Sequence, residues 1–220
     1  MIYNRSWETG LPKVEMVSRL IGAPAALDPE LFLDDQARRE AAAVIDPQLA
    51  AGPGPGPIIA LAPIAHQPGK SWPADRWGSL VEKLRAEPRF DGWRFMLVGG
   101  PGDHAPAAPA LKAAAERAID CVGRGDILAS AAAIDRATLF VGNDSGLMHV
   151  AAAARRPTLG LFGPTEWWLY GPWGSTTRTV ASNETRGAFA PIEALSVDQV
   201  FAAVLALHAD FIASPSPAAP

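Results

Sequence analysis

Cysteine is nearly absent from this 220-residue chain, charge is sparse, and no long apolar run occurs. The single cysteine, Cys121, excludes an internal disulfide framework and any zinc site built from several thiolates. Charged residues make up 19%, and 19 Lys+Arg against 23 Asp+Glu leave a formal charge of −4. Binding to nucleic acid, which needs clustered cations, is therefore not expected. The longest clean apolar run near the C-terminus, Val200 to Leu207, falls far short of the ~20 residues that span a bilayer, so no transmembrane segment is expected. Met1 to Gly10 carry charged and polar groups instead of a signal-peptide core, and a cytoplasmic location is the expectation. Apolar types reach 49%, enough for a packed globular protein and too many for a disordered one.

Glycine and proline, in contrast, are plentiful at 20 and 21 residues, and they are unevenly spread. The run Ala51-Gly-Pro-Gly-Pro-Gly-Pro57 can hold neither a helix ladder nor a strand ladder and reads as a linker or domain boundary. Before it, the pattern predicts an amphipathic helix over 34–45 and a shorter one over 14–21. After it, short apolar strands alternate with helices. Strands are predicted over 58–62, 93–98, 119–122, 138–141, 158–162 and 177–181. Helices are predicted over 73–85, 107–118, 126–136, 146–154 and 197–209. In the first of these, Trp77, Leu80, Val81 and Leu84 form one apolar stripe, and Asp126 is the expected N-cap of the third. Such alternation implies parallel strands with right-handed crossovers, an α/β, Rossmann-like doubly wound sheet whose ligands sit beyond the strand carboxyl ends.

Four loops at those ends carry chemistry. In Phe140-Val-Gly-Asn-Asp-Ser-Gly-Leu-Met-His149 a strand runs through Asn143, Asp144 and Ser145 into a helix at Gly146. Unpaired N–H groups at a helix start suit a phosphate, and Gly146 would let it approach the backbone. The same residues suit an ordinary helix cap, and His149 on the first turns could meet an anion or simply order the turn. Its isolation from other His or Cys residues gives no metal site. Lys70, in Pro63-Ile-Ala-His-Gln-Pro-Gly-Lys-Ser-Trp-Pro73, is either a phosphate ligand or a solvated lysine; the P-loop spacing is missing. Gly99-Gly-Pro-Gly-Asp-His104 offers close backbone approach, with Asp103 either a ribose acceptor or an exposed turn residue. Phe162-Gly-Pro-Thr-Glu166 leads to Trp167, Trp168, Tyr170 and Trp173, aromatics able to stack on sugars or to pack an interface. Together the loops suit a diphosphate-bearing nucleotide with a sugar attached.

In order and spacing these pieces resemble glycosyltransferase family 9, the ADP-heptose:lipopolysaccharide heptosyltransferases and their relatives. The resemblance rests on Pro63 with Lys70-Ser-Trp-Pro73, the glycine turn, Val141-Gly-Asn-Asp-Ser-Gly-Leu-Met-His-Val-Ala-Ala-Ala153 and Arg156-Pro-Thr-Leu-Gly-Leu-Phe-Gly-Pro-Thr165, covering about 58–180. It implies the C-terminal half of a GT-B enzyme, with two Rossmann-type domains across a cleft. A sugar, heptose from ADP-heptose, would pass to a lipopolysaccharide core or other glycan acceptor by a metal-independent, inverting reaction without cofactor. Lys70 and the backbone of Ser145, Gly146 and Leu147 would hold the diphosphate. Asp144 would orient the donor, Asp103 would lie near the ribose, and His149 and Thr165 complete the donor-binding set. Peripheral contact with the inner membrane would accompany such an acceptor.

One departure stands out. About 57 residues precede the first strand, too few for a Rossmann-like domain of ~100 or more. The expected division is therefore 1–57 as a connector or remnant of an N-terminal domain, 58–212 as the nucleotide-sugar domain, and 213–220 as a flexible tail. The family's general base belongs to the missing part, and nothing selects one among Asp28, Glu30, Asp34 and Asp35. A truncated transferase, a non-catalytic nucleotide-sugar module needing a partner domain, and an epimerase or phosphorylase-like enzyme on the same scaffold all fit this pattern.

Overall fold

The computed structural model describes residues 10–213; the chain start and all but the first residue of the expected tail lie outside them. Among the described residues two helices, α1 (Lys13–Leu20) and α2 (Asp35–Ala51), precede β1 (Ile58–Ala62). Then follow α3 (Ala74–Ala86), β2 (Arg94–Gly99), α4 (His104–Ala114), β3 (Ala118–Val122), α5 (Ile127–Asp135) and β4 (Leu139–Asn143). The series ends with α6 (Gly146–Ala153), β5 (Thr158–Phe162), α7 (Trp167–Tyr170), β6 (Thr177–Ala181) and α8 (Val197–His208). All six strands are parallel, in the order β3-β2-β1-β4-β5-β6.

Strand residues alternate between two apolar layers. Ile59, Leu61, Phe95, Leu97, Leu139, Val141, Leu159 and Leu161 face α3, α4 and α8; Ala60, Ala62, Met96, Val98, Phe140 and Phe162 face α2, α5 and α6. Burial on both faces is why β1, β2, β4 and β5 read as continuous apolar runs instead of alternating ones. The Trp77, Leu80, Val81 and Leu84 stripe of α3 is wholly buried, as its spacing requires.

Strand order reverses direction between β1 and β4, the point where open α/β sheets leave a crevice. Around it the sheet is built from small residues. Ala62 pairs with Gly142, and Gly142 with Gly160. A Cβ on Gly142 would come within 2.7 Å of the Phe140 ring, and one on Gly160 within 2.5 Å of Met148 Sδ. Only glycine lets Met148, and hence α6, seat this close beneath the strands.

Several boundaries differ from expectation. The second helix does not stop at residue 45 but continues through Pro47 to Ala51. Ile45 is buried and Gln48 is anchored: its Nε2 donates to Val44 O and Asp120 O, and its Oε1 accepts from Asp120 N. Those bonds also occupy backbone on β3, an edge strand, and packing here outweighs the helix-breaking tendency of proline. The fourth helix begins at His104, three residues before the predicted start, and its last turn is a 3-10 turn over 115–117. Beyond α2 the Gly/Pro run is irregular, as its residues dictate, yet fastened. The Arg94 guanidinium, 1% exposed, donates to the carbonyls of Gln48, Gly54, Arg117 and Ala118. Burial lowers the Arg94 pKa from its ordinary value. A Cβ on Gly52 would lie 2.6 Å from that guanidinium, so the glycine here is a packing requirement.

Candidate functional site

At the switch point the loops after β1 and β4 are stitched together by Asn143. Its Oδ1 accepts from Trp72 N at 3.1 Å, and its Nδ2 donates to Pro63 O at 2.7 Å. Trp72 in turn buries its indole and donates Nε1–H to Leu195 O at 2.9 Å. The lysine loop is thus held at both ends, and Gly69 turns it with a φ of +77° that favours glycine. Lys70 is delivered to Asp144: Nζ to Oδ2 is 2.7 Å, with side chains 16% and 7% exposed. Thr165, on the loop after β5, donates its hydroxyl to the same Oδ2 at 2.8 Å. Three loops therefore meet at one carboxylate.

Sequence left open whether Asn143, Asp144 and Ser145 merely cap α6. None of the three side chains caps it. Asn143 is spent on the lysine loop, Asp144 on Lys70 and Thr165, and the Ser145 hydroxyl is buried without a partner. The α6 N-terminus is consequently uncapped where it meets the crevice, the condition under which helix-end N–H groups suit an anion. By contrast α5 is capped by Asp126, whose Oδ1 accepts from Ala129 N at 2.9 Å.

Next to this junction lies a hollow of about 480 Å³ at the strand carboxyl ends. Loops after four neighbouring strands line it: Ile64 and His66, then Gly99, Gly100, Pro101 and Asp103, then Gly125 to Ile127 with Ser130, then Ser145, Gly146 and Leu147. Asp103 is buried, its Oδ2 accepting from Gly100 N at 2.7 Å, while Oδ1 faces His66 Nε2 at 3.6 Å. It is not the exposed turn residue that the sequence also allowed.

Of the eight residues expected for donor binding, Asp103, Ser145, Gly146 and Leu147 line the hollow. Lys70, Asp144 and Thr165 form the adjoining junction. His149 sits beside that junction, where packed protein and the Lys70 charge push its pKa below the ordinary value and Asp144 pulls it back. More than a third of its surface stays open, which limits the push. Asp28, Glu30, Asp34 and Asp35 line no part of the hollow. Asp28 accepts from Trp173 Nε1, and Asp34 caps α2. Sequence reasoning missed Ile64, His66, Gly125, Asp126, Ile127 and Ser130; the Gly125-Asp126 pair at a helix start was the available signal. The aromatics after Phe162, which the sequence left as either sugar-stacking or interface-packing, are half-buried: Trp167, Trp168, Tyr170 and Trp173.

A profile of glycosyltransferase family 9 (heptosyltransferase) matches residues 12–191. The lipooligosaccharide heptosyltransferase 2 of Haemophilus influenzae is 34% identical over 118 residues, 51% of this chain and 33% of that protein. Lipopolysaccharide heptosyltransferase 1 of Pseudomonas aeruginosa is 36% identical over 110 residues, 48% of this chain and 28% of its own length. Among solved structures, a family 9 glycosyl transferase from Veillonella parvula superposes with a TM-score of 0.74 at 21% identity, covering 89% of this chain and 58% of that one. E. coli ADP-heptose lipopolysaccharide heptosyltransferase II gives 0.69 at 24% identity, covering 85% and 55%. The chain thus matches about a third of the curated relatives and somewhat over half of the solved chains. With the profile running through both the lysine loop and the α6 start, the chain belongs to glycosyltransferase family 9.

Proposed function

We propose that this chain is the nucleotide-sugar-binding part of a metal-independent, inverting glycosyltransferase that moves heptose from ADP-heptose to a lipopolysaccharide core acceptor. The observation that carries the reading is the uncapped α6 N-terminus opening on the hollow beside the Lys70–Asp144–Thr165 junction. In this reading 58–212 holds the donor. The backbone of Ser145, Gly146 and Leu147 and the Lys70 ammonium hold the diphosphate, and Asp103 accepts from ribose hydroxyls. Asp144 aims the Lys70 side chain, and Thr165 fixes the carboxylate.

Transfer breaks the bond between the anomeric carbon and the diphosphate while an acceptor hydroxyl attacks from the opposite face. Positive charge grows on the sugar and negative charge on the leaving diphosphate; a helix N-terminus and a lysine stabilise the latter without a metal ion. Work on a lipopolysaccharide acceptor puts the protein on the cytoplasmic side, in peripheral contact with the inner membrane.

Calorimetric titration with ADP and ADP-heptose tests the reading. Binding of both, weakened at least about tenfold in a Lys70→Met variant, is expected; a folded sample that binds neither overturns the reading. A second reading, a non-catalytic module that needs a partner domain, is favoured by the absence of Asp28, Glu30, Asp34 and Asp35 from the hollow. Transfer assays on this chain alone and with an added family 9 N-terminal domain separate the two.

A further inference from the structure

Seven tryptophans occur in the chain, and three of them line one shallow groove outside the nucleotide hollow. The groove, about 360 Å³, lies between α7, the Gly171–Trp173 turn and the edge strand β6. Trp167, Trp168 and Trp173 supply its aromatic surface, and Arg178 and Arg186 its charge; among the described residues no carboxylate lines it, and Asp28 stands beside it, accepting from Trp173 Nε1 at 3.0 Å. Trp167 and Trp168 meet edge-to-face with centroids 5.7 Å apart, and the buried Trp167 indole N–H has no partner. Arg178 is held by Asp210 at 3.1 Å and stacked on the Phe211 ring at 4.8 Å. Arg186 is exposed and makes no hydrogen bond or ion pair among the described residues.

Half-buried tryptophans beside an unpaired arginine are an unusual use of surface. Trp72, Trp77 and Trp93 go into the core, where aromatic area stabilises the fold. Tryptophan left at the surface in a concave patch is characteristic of recognition sites, and arginine matches carboxylate or phosphate oxygens in a bidentate manner. A pyranose ring offers an apolar C–H face to a tryptophan and hydroxyls to its rim, so an acidic sugar satisfies both features at once.

We propose that this groove binds an acidic saccharide, with Trp168 and Trp173 against the sugar rings and Arg186 on the carboxylate or phosphate. As the anchor of an acceptor glycan the proposal rests on the transferase reading, because the groove starts on the segment that leaves Thr165 directly. Binding itself does not depend on that reading.

The test uses the full chain, a glucuronic-acid-containing disaccharide, and the neutral glucose disaccharide of the same linkage, followed by tryptophan fluorescence and calorimetry. The acidic disaccharide is expected to bind at least about fivefold more tightly than the neutral one. Trp168→Ala is expected to weaken both by about tenfold. Arg186→Gln, at an exposed unpaired position that the fold does not need, removes the acidic preference and leaves the neutral affinity unchanged. No binding at millimolar concentration, equal binding of the two sugars, or a preference that survives Arg186→Gln overturns the proposal. ADP titrated into the same samples reads the other site. Saccharide binding without ADP binding defeats the nucleotide reading alone, and ADP binding without saccharide binding defeats the groove alone.

Discussion

Lys70 and Asp144 are the pair at which charge, burial and ligand binding meet, and substitutions there pull the three apart. Lys70→Met removes one charge-assisted partner of a diphosphate, an interaction of about 1.5–3 kcal/mol, so ADP affinity is expected to fall at least about tenfold. It also leaves a carboxylate that is 7% exposed with only Thr165 bonded to it, and unpaired buried charge is costly. Melting temperature is therefore expected to drop in Lys70→Met and to recover in the double variant with Asp144→Asn, while ADP affinity stays low in both. If melting recovers together with affinity, Lys70 serves only to neutralise Asp144. Lys70 is a candidate from its glycine-containing loop after a strand, and Asp144 and Thr165 through the resemblance to family 9. Sequence could not show that the three share one oxygen, because that depends on β1, β4 and β5 lying side by side. The capping question was equally closed to it: Asn143 is ordinary N-cap material until Trp72 N and Pro63 O are seen to occupy it.

Elements were legible wherever periodicity or punctuation governs them. Ile58–Ala62, Thr158–Phe162 and Thr177–Ala181 follow from apolar, β-branched runs between breakers, and α5 from its Asp126 cap. What failed to show were long-range fastenings. Arg94 sits within a strand-like run, and only the fold reveals four carbonyls converging on it from α2, the Gly/Pro run and β3. Arg94→Met strands those acceptors; a loss of about 3 kcal/mol is expected, or roughly 6–12 °C in melting temperature. A second hidden fastening is His208, 8% exposed at the end of α8, against Phe90 and Trp93 with ring centroids 5.2 and 5.6 Å away. Its Nδ1 has no partner, and burial chiefly, then the Arg89 charge, lowers its pKa below 6.5, with Glu87 opposing. The unfolded chain then takes up the proton first as pH falls. The stabilising contribution is full above about pH 6.5 and is lost as pH drops through the lower folded-state value. Melting curves at about pH 7.5 and about pH 5 should show His208→Leu losing less stability on acidification than the parent. The slope does not vanish, because His149 is displaced in the same direction. An unchanged slope would show that α8 does not sense the proton.

On the scale of the whole molecule, the parallel sheet aims four loops and two helix starts at one edge, and the consequence is a ranking of ligands. Ile64 and Ile127 give the hollow an apolar wall, Asp103 gives it an acceptor, and the α6 start with Lys70 beside it provides the attraction for negative charge. A ligand that engages only the wall binds weakly; each phosphate that reaches the α6 end adds charge-assisted bonds. Adenosine, AMP and ADP should therefore raise the melting temperature in ascending order. By mass action, ADP at one hundred times its Kd contributes about 2.7 kcal/mol, which for a chain of this size corresponds to roughly 5–10 °C. Added salt should shrink the ADP increment more than the adenosine increment, because only the former depends on exposed charge. Equal shifts for adenosine and ADP at the same ligand concentration would mean that the hollow takes a base but that the α6 terminus holds no phosphate. The loops would then converge without performing the electrostatic task on which transfer of the sugar depends.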